Sequence, residues 1–232
     1  MNKVFIIGLP RTGTTSISVA LLDYGFKVAH TAYTKRAFEL ADVISDSPCF
    51  CDYQQLDRLF PNSKFVYLER ELSRWVPSMQ MLINKMQANL DLETGIFNPV
   101  LKRTFNTVFK LSTTAAPDDH GHLIQCYQEH KQAVLKYFEG RHDLLCIDIS
   151  QQNSLKQLLT FLNTDTLITK RLKQAQSTKQ LADLIPENDI ATKLSFPHLN
   201  RGRQVACWKE YKHPNKVNSN AAGKEQRKFF NY

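Results

Sequence analysis

The residues that could do chemistry sit mostly in the first eighty positions. Gly8-Leu9-Pro10-Arg11-Thr12-Gly13-Thr14-Thr15-Ser16 follows the apolar run Val4-Phe5-Ile6-Ile7 and precedes a helical pattern with Ile17, Leu21 and Tyr24 on one face. Strand, glycine-bearing loop and helix start make a phosphate cradle, because loop N–H groups turn inward and the helix N-terminus adds partial positive charge. The glycines have the spacing of the nucleoside-triphosphate loop, but Thr14 stands where that loop carries its lysine. That lysine reaches the β- and γ-phosphates, so its replacement argues for a shorter anhydride. The nearest cation is Arg11, inside the loop.

Other residues could move a proton or bind a second anion. His30 closes the strand pattern Phe26-Lys27-Val28-Ala29-His30. In open α/β sheets, ligands sit outside the C-terminal strand ends. An imidazole there can act as a general base, since its ordinary pKa lies near neutrality. It could equally satisfy a loop carbonyl. Asp46, in Val43-Ile44-Ser45-Asp46-Ser47-Pro48, could take a proton or orient His30, or simply cap a turn. Arg70 follows an expected strand over residues 64–68. Its planar fork suits a dianionic phosphate, and the alternative is an ion pair with Glu69 or Glu71.

Pro10-Arg11-Thr12-Gly13-Thr14-Thr15 resembles the 5′-phosphosulfate loop of the sulfotransferases that use 3′-phosphoadenosine 5′-phosphosulfate (PAPS). In that family a later strand precedes an arginine and, eight positions on, a serine. Here Phe65-Val66-Tyr67-Leu68-Glu69-Arg70 is followed by Ser78, with Trp75 between them as in a bacterial-type branch. That branch often has histidine at the place of His30, and an Asp-x-Pro element similar to Asp46–Pro48. Phe161-Leu162 and Phe196-Pro197-His198-Leu199-Asn200 are similar to later family elements. The resemblance covers residues 3–80, 143–162 and 196–201.

The resemblance implies a P-loop NTPase-like three-layer α/β/α sandwich around a mostly parallel sheet of four or five strands. It implies in-line transfer of a sulfuryl group from PAPS to a hydroxyl or amine, leaving adenosine 3′,5′-bisphosphate, with no metal. In this reading the N–H groups of Thr12, Gly13, Thr14 and Thr15 hold the 5′-phosphate, helped by the hydroxyls of Thr14, Thr15 and Ser16. Arg11 neutralises charge on the bridging oxygen. Arg70 and Ser78 read the 3′-phosphate, and His30 or Asp46 takes the acceptor proton. Two features depart from the family. A late Arg-Lys-Gly element is absent, which leaves Arg201, Arg203 or residues 223–228 to complete the 3′-phosphate site, and Ser16 stands where some branches have an aromatic. The alternative is a P-loop kinase or NTPase with a displaced lysine. It would need a magnesium-holding aspartate at a strand end, and neither Asp46 nor Asp148 sits in a recognisable block of that kind. A third reading is a non-catalytic nucleotide- or partner-binding protein on the same fold.

The elements that must position these groups fit one domain of 232 residues, 42% of them hydrophobic. Residues 34–43 read as a helix anchored by Phe38, Leu40 and Ala41, and Asp52 reads as the N-cap of a helix over 53–60. Trp75, Met79, Leu82, Ile83, Met86 and Leu90 form an apolar stripe. Residues 81–125, with a helix near 99–112, are expected to cover the acceptor pocket. A strand over 143–149 and a helix over 154–162 follow, while 163–192 fit one or two unplaced helices. Asp118-Asp119-His120-Gly121-His122 could bind a divalent ion. Acids opening a helix favour its dipole without one, so no metal is assigned.

The five cysteines, Cys49, Cys51, Cys126, Cys146 and Cys207, lack the spacing of a disulfide or zinc framework and read as free thiols. Net charge is +8, of which residues 201–232 supply +6, with eight Lys/Arg against two acids. No nucleic-acid-binding pattern accompanies that basic segment, which reads as a solvated tail, mobile from 212 to 228, or as one lobe of an anion site. No apolar run approaches a membrane span, and the N-terminal apolar stretch is too short for a signal peptide, so a cytoplasmic protein is expected. The acceptor stays open among small molecules, carbohydrates and lipids, as does the oligomeric state.

Overall fold

The computed structural model describes residues 3–163, 196–197, 200–201, 204–205 and 208–222. The sequence alternates apolar residues of different size along its strands, and both faces of the sheet are buried. From β1 (Val4–Ile6), Val4 and Ile6 face one layer and Phe5 and Ile7 the other. β2 (Val28–His30), β3 (Val43–Ser45), β4 (Lys64–Glu69) and β5 (Leu144–Asp148) complete a five-stranded sheet of order β2-β3-β1-β4-β5. Every pairing in it is parallel, an arrangement that goes with cover on both faces.

Helices fill both outer layers, giving the three-layer α/β/α architecture. α1 (Thr14–Asp23) and α7 (Ser154–Phe161) pack on Val4, Ile6, Val66 and Leu68 through Ile17, Leu21, Leu155 and Leu158. On the opposite face lie α2 (Lys35–Leu40), α3 (Cys49–Leu59) and α6 (His120–Tyr137), whose Phe38, Leu56, Val134 and Phe138 meet Phe5, Phe65 and Tyr67. α4 (Leu72–Leu90) and α5 (Pro99–Phe109) form a third apolar cluster with α6, centred on Trp75, Met79, Ile83, Phe105 and Phe109. β6 (Asn200–Arg201) and β7 (Gln204–Val205) form a separate antiparallel pair.

Register decides where the site falls. Ser45 pairs with Ile6 on one side and with His30 on the other, so β1, β2 and β3 end in one row. The loop after β1, the ring of His30 and residue Asp46 therefore leave the sheet at one level. β4 runs three residues beyond the Ile6 row before Arg70. The connection from β3 to β4 crosses β1, which makes the C-terminal end of β1 the switch point where ligands of such sheets bind.

Three local expectations change. α3 begins earlier than expected, at Cys49 behind Pro48, and Asp52 stands at a kink inside it, at φ −102°, ψ 18°, just before the helix expected from Tyr53. The Asp52 carboxylate is buried and accepts two hydrogen bonds from Arg103 of α5, at 2.9 and 2.5 Å. Leu40 is exposed rather than an anchor, whereas Ala37, Phe38 and Ala41 reach the core. The expected mobile tail is ordered over 208–222: Val217 is buried, its N–H donates to Val28 O at 2.9 Å, and Val28 N–H donates to Asn215 O. A chain polar in composition thus docks through a few apolar residues, Val217 and Ala221 among them, and backbone pairing.

At the start of α6, Asp119 caps the helix by accepting from His122 N–H, and the His122 ring meets Phe109 O. Among the described residues no cluster of His, Cys, Asp and Glu is arranged for a metal, and no helix is long and apolar enough to cross a membrane. Cys49, Cys51, Cys126 and Cys146 are free thiols. Residues 164–195, His198, the side chains of Arg201, Arg203 and Cys207, and residues 223–228 fall outside the described set, together with the expectations placed on them.

Candidate active site

The loop between β1 and α1 is shaped by what it must avoid. A Cβ on Gly8 would lie 2.6 Å from Leu68 Cβ, so the chain can turn against β4 only with glycine there. Gly13 has φ 109°, and a Cβ on it would meet Ile149 Cδ1 at 2.2 Å. Between them the loop is pinned from inside. Thr12 Oγ1 donates to Leu9 O at 2.7 Å, and the indole of Trp75 donates to Pro10 O at 2.9 Å. Trp75 is fully buried, so α4 and the loop share one anchor.

Arg11, at φ 70°, is held in the left-handed region that non-glycine residues rarely adopt. Two contacts keep it there. Arg70 donates an Nη hydrogen to Arg11 O at 2.6 Å, and Arg11 donates Nε–H to Ser78 Oγ at 2.8 Å. Arg11, Arg70 and Ser78 thus form one constellation, although Ser78 lies 67 residues from Arg11. Tyr127 of α6 braces Arg70, accepting from its N–H at 3.0 Å. Burial lowers the pKa of both guanidiniums. Arg70 adds to the effect on Arg11, and Arg74 to that on Arg70. Both remain charged at neutral pH, so repulsion across a half-buried pair makes this corner a place that an anion would stabilise.

On the other side of the loop, the His30 ring presents Nε2 to Thr15 Oγ1 at 3.1 Å and lies 4.0 Å from Asp46 Oδ2. Thr14 donates to the same carboxylate oxygen at 3.4 Å, and Asp46 Oδ1 accepts from Ser47 N–H. Asp46 has φ 60° and Thr31, just past His30, has φ 100°. Such strain clusters where surrounding structure enforces it. Burial pushes the His30 pKa down more strongly than Asp46 raises it, and Lys216 lowers it further. The ring is therefore neutral at pH 7, the state in which it can accept a proton.

Residues 10–16 of the loop, together with His30, Asp46, Arg70 and Ser78, line one cavity of about 940 Å³. Pocket volumes typically run to about 1,000 Å³, so there is room for a nucleotide and a second small molecule. Ser150 and Gln151, just past β5, and Tyr33, past β2, were not foreseen. Asp148 ends β5, and Leu101 and Phe105 come from α5, inside the segment 81–125 expected to cover the acceptor pocket. Trp208 was missed too: it stacks on His30 with ring centroids 5.3 Å apart and planes 29° apart. Lys216 sits over Trp208, 4.8 Å from its ring centroid. The chain has only two tryptophans, and both touch this site, a signal that composition alone carried.

Asp46 directly follows β3, the neighbour of β1, at the end of the strand expected from Val43-Ile44-Ser45.

A search of curated proteins finds no match. The sulfotransferase domain family, by contrast, matches residues 3–36 and 31–205. The match takes in the β1 loop, Arg70, Ser78 and all five strands of the main sheet, and with it the chain belongs to the sulfotransferase domain family.

Proposed function

We propose that the protein transfers a sulfuryl group from PAPS to a hydroxyl or amine. The observation that carries the donor assignment is the joining of Arg11, Arg70 and Ser78 at the end of the loop. A nucleoside triphosphate would be expected to find a lysine in the loop, which is lacking here. A 3′-phosphate has a use for the serine and the second arginine, because guanidinium and hydroxyl donors suit its dianionic oxygens. In the reaction, the bond from sulfur to the bridging oxygen breaks as a bond to the acceptor oxygen or nitrogen forms. Loop N–H groups from Thr12 to Thr15, with the hydroxyls of Thr14, Thr15 and Ser16, hold the 5′-phosphate. Arg11 meets the charge that grows on the departing oxygen. His30, neutral and turned to the cavity through Nε2, takes the acceptor proton, and Asp46 stabilises the imidazolium that results. The product nucleotide is adenosine 3′,5′-bisphosphate. The whole chain acts as a single domain, with α4 and α5 at the acceptor end.

The test needs no acceptor. Adenosine 3′,5′-bisphosphate at 100 times its Kd should stabilise the protein by about 2.7 kcal/mol. For a chain of this size that raises Tm by roughly 5–11 °C. ADP should do far less, and Arg70→Ala should abolish the difference between the two. Asp46 at the end of β3, beside Thr14, is also where a kinase-like site would hold magnesium. If ATP with magnesium stabilises the protein and the bisphosphate does not, that second reading replaces the first.

A further inference from the structure

The cavity is chemically lopsided. At the cradle end it is lined by Arg11, Arg70, Arg74 and the loop hydroxyls. Past Ser78 the lining changes. α4 contributes Met81, Leu82 and Met86, and α5 contributes Leu101 and Phe105. From Ser78 to Met86 is about 12 Å along a helix, and among the described residues this wall carries no charged side chain. The charges of α5 are engaged elsewhere. Lys102 donates to Leu92 O and Gly95 O, and Arg103 is held by Asp52.

This wall is fixed close to the proposed base. Thr104, between Leu101 and Phe105 in α5, hydrogen-bonds through its hydroxyl to Ser47, the residue after Asp46. Residues 101 and 105 are four apart and share a helix face. Both line the cavity that His30 and Asp46 also line, so a molecule whose polar group reaches either residue has this wall available to its body. A carbohydrate laid there would leave its hydroxyls facing hydrocarbon, each losing a hydrogen bond to water without replacement. Two methionines in the wall add a second property. The chain has four methionines, and Met81 and Met86 both line this cavity. Unbranched thioether chains reshape to fit varied apolar bodies.

Resting on the sulfuryl-transfer reading, we infer that the acceptor is a predominantly hydrocarbon molecule, its body uncharged, with one hydroxyl or amine at its end, not a sugar. The hydrocarbon body lies between the second half of α4 and α5, and the polar end meets His30.

The wall is tested by binding, apart from turnover. 2-Naphthol and 1-decanol are titrated calorimetrically against N-acetylglucosamine, with and without adenosine 3′,5′-bisphosphate. At least one apolar probe should bind tenfold or more tightly than the sugar. Leu101→Glu and Met86→Glu should each weaken it tenfold or more. Met81→Glu is the control for folding, since Met81 is 64% exposed, and it should weaken binding with Tm unchanged. Tighter binding of the sugar, or glutamate variants that leave apolar binding intact, would overturn the inference. Failure of the donor reading shows separately, as loss of bisphosphate stabilisation while apolar binding persists.

Discussion

Arg11 meets two demands with one backbone conformation. Its carbonyl is taken by Arg70 and its Nε by Ser78, so the guanidinium is aimed before any ligand arrives. Donors held in advance are worth most in the transition state, because no reorganisation is needed during reaction. Arg11→Ala should therefore lower PAPS-dependent turnover of a phenolic acceptor by about 10²–10³. Arg11→Lys should recover little, since an ammonium cannot donate sideways to Ser78 and forward to substrate as a planar fork does. Near-normal turnover in Arg11→Ala would remove it from the proposed role. His30 depends on neighbours in a different way. Trp208 covers one ring face, and burial is the main cause of the lowered pKa. Thr15 and Asp46 face the ring from α1 and the end of β3, and Lys216 acts on it from the C-terminal segment. Trp208→Ala admits water while leaving Asp46 in place, so the ring should titrate at higher pH than in the parent protein. Imidazole NMR resonances, with His30→Ala to assign them, would read this directly, and an unmoved titration would limit Trp208 to packing.

The link between α3 and α5 shows what local patterns can and cannot reveal. Asp52 followed by an apolar helical pattern looks like a helix start. Its partner Arg103 is 51 residues away, and no local rule points to it. The Asp52 side chain is 6% exposed and that of Arg103 28%. Arg103→Ala leaves a buried carboxylate without its counter-charge, which typically costs 3–5 kcal/mol, and here about 3 given the partial exposure. Replacing both, as in Asp52→Asn with Arg103→Met, should cost much less, and urea unfolding of the three proteins would show it. Where the sequence could be read, it was read through strongly periodic or chemically marked stretches. β1 and its loop, β4 with Arg70, α4 with Trp75 and Ser78, and β5 with α7 all announced themselves. Long-range placements did not: Ser47 against Thr104, Trp208 over His30, and Val217 on Val28 depend on contacts that no window of sequence contains.

For the molecule as a whole, acid should loosen the face of the sheet opposite α1. His130 of α6 is buried, meets Phe50 O at 2.7 Å through Nε2, and stacks near Tyr67. Burial pushes its pKa from 6.5 down to about 4. A histidine with a lowered folded pKa is protonated first in the unfolded chain. Its contribution is therefore complete above pH 6.5 and is lost as pH falls toward about 4, by about 3 kcal/mol. His130→Gln should flatten that part of a Tm–pH profile relative to the parent, and an equally steep profile would rule His130 out as its source. A last consequence concerns the order in which a ribosome delivers the parts. Arg11, Arg70 and Ser78 have all been delivered once residue 78 has emerged, but Tyr127, which braces Arg70, and Ile149, which lies against Gly13, come later. His30 emerges early but gains its stacking partner only with residue 208, and the strap behind it only when Val217 seats on Val28. On the proposed reading, the parts that brace the nucleotide site are therefore all delivered by residue 149, ahead of the segment that shields its proton acceptor.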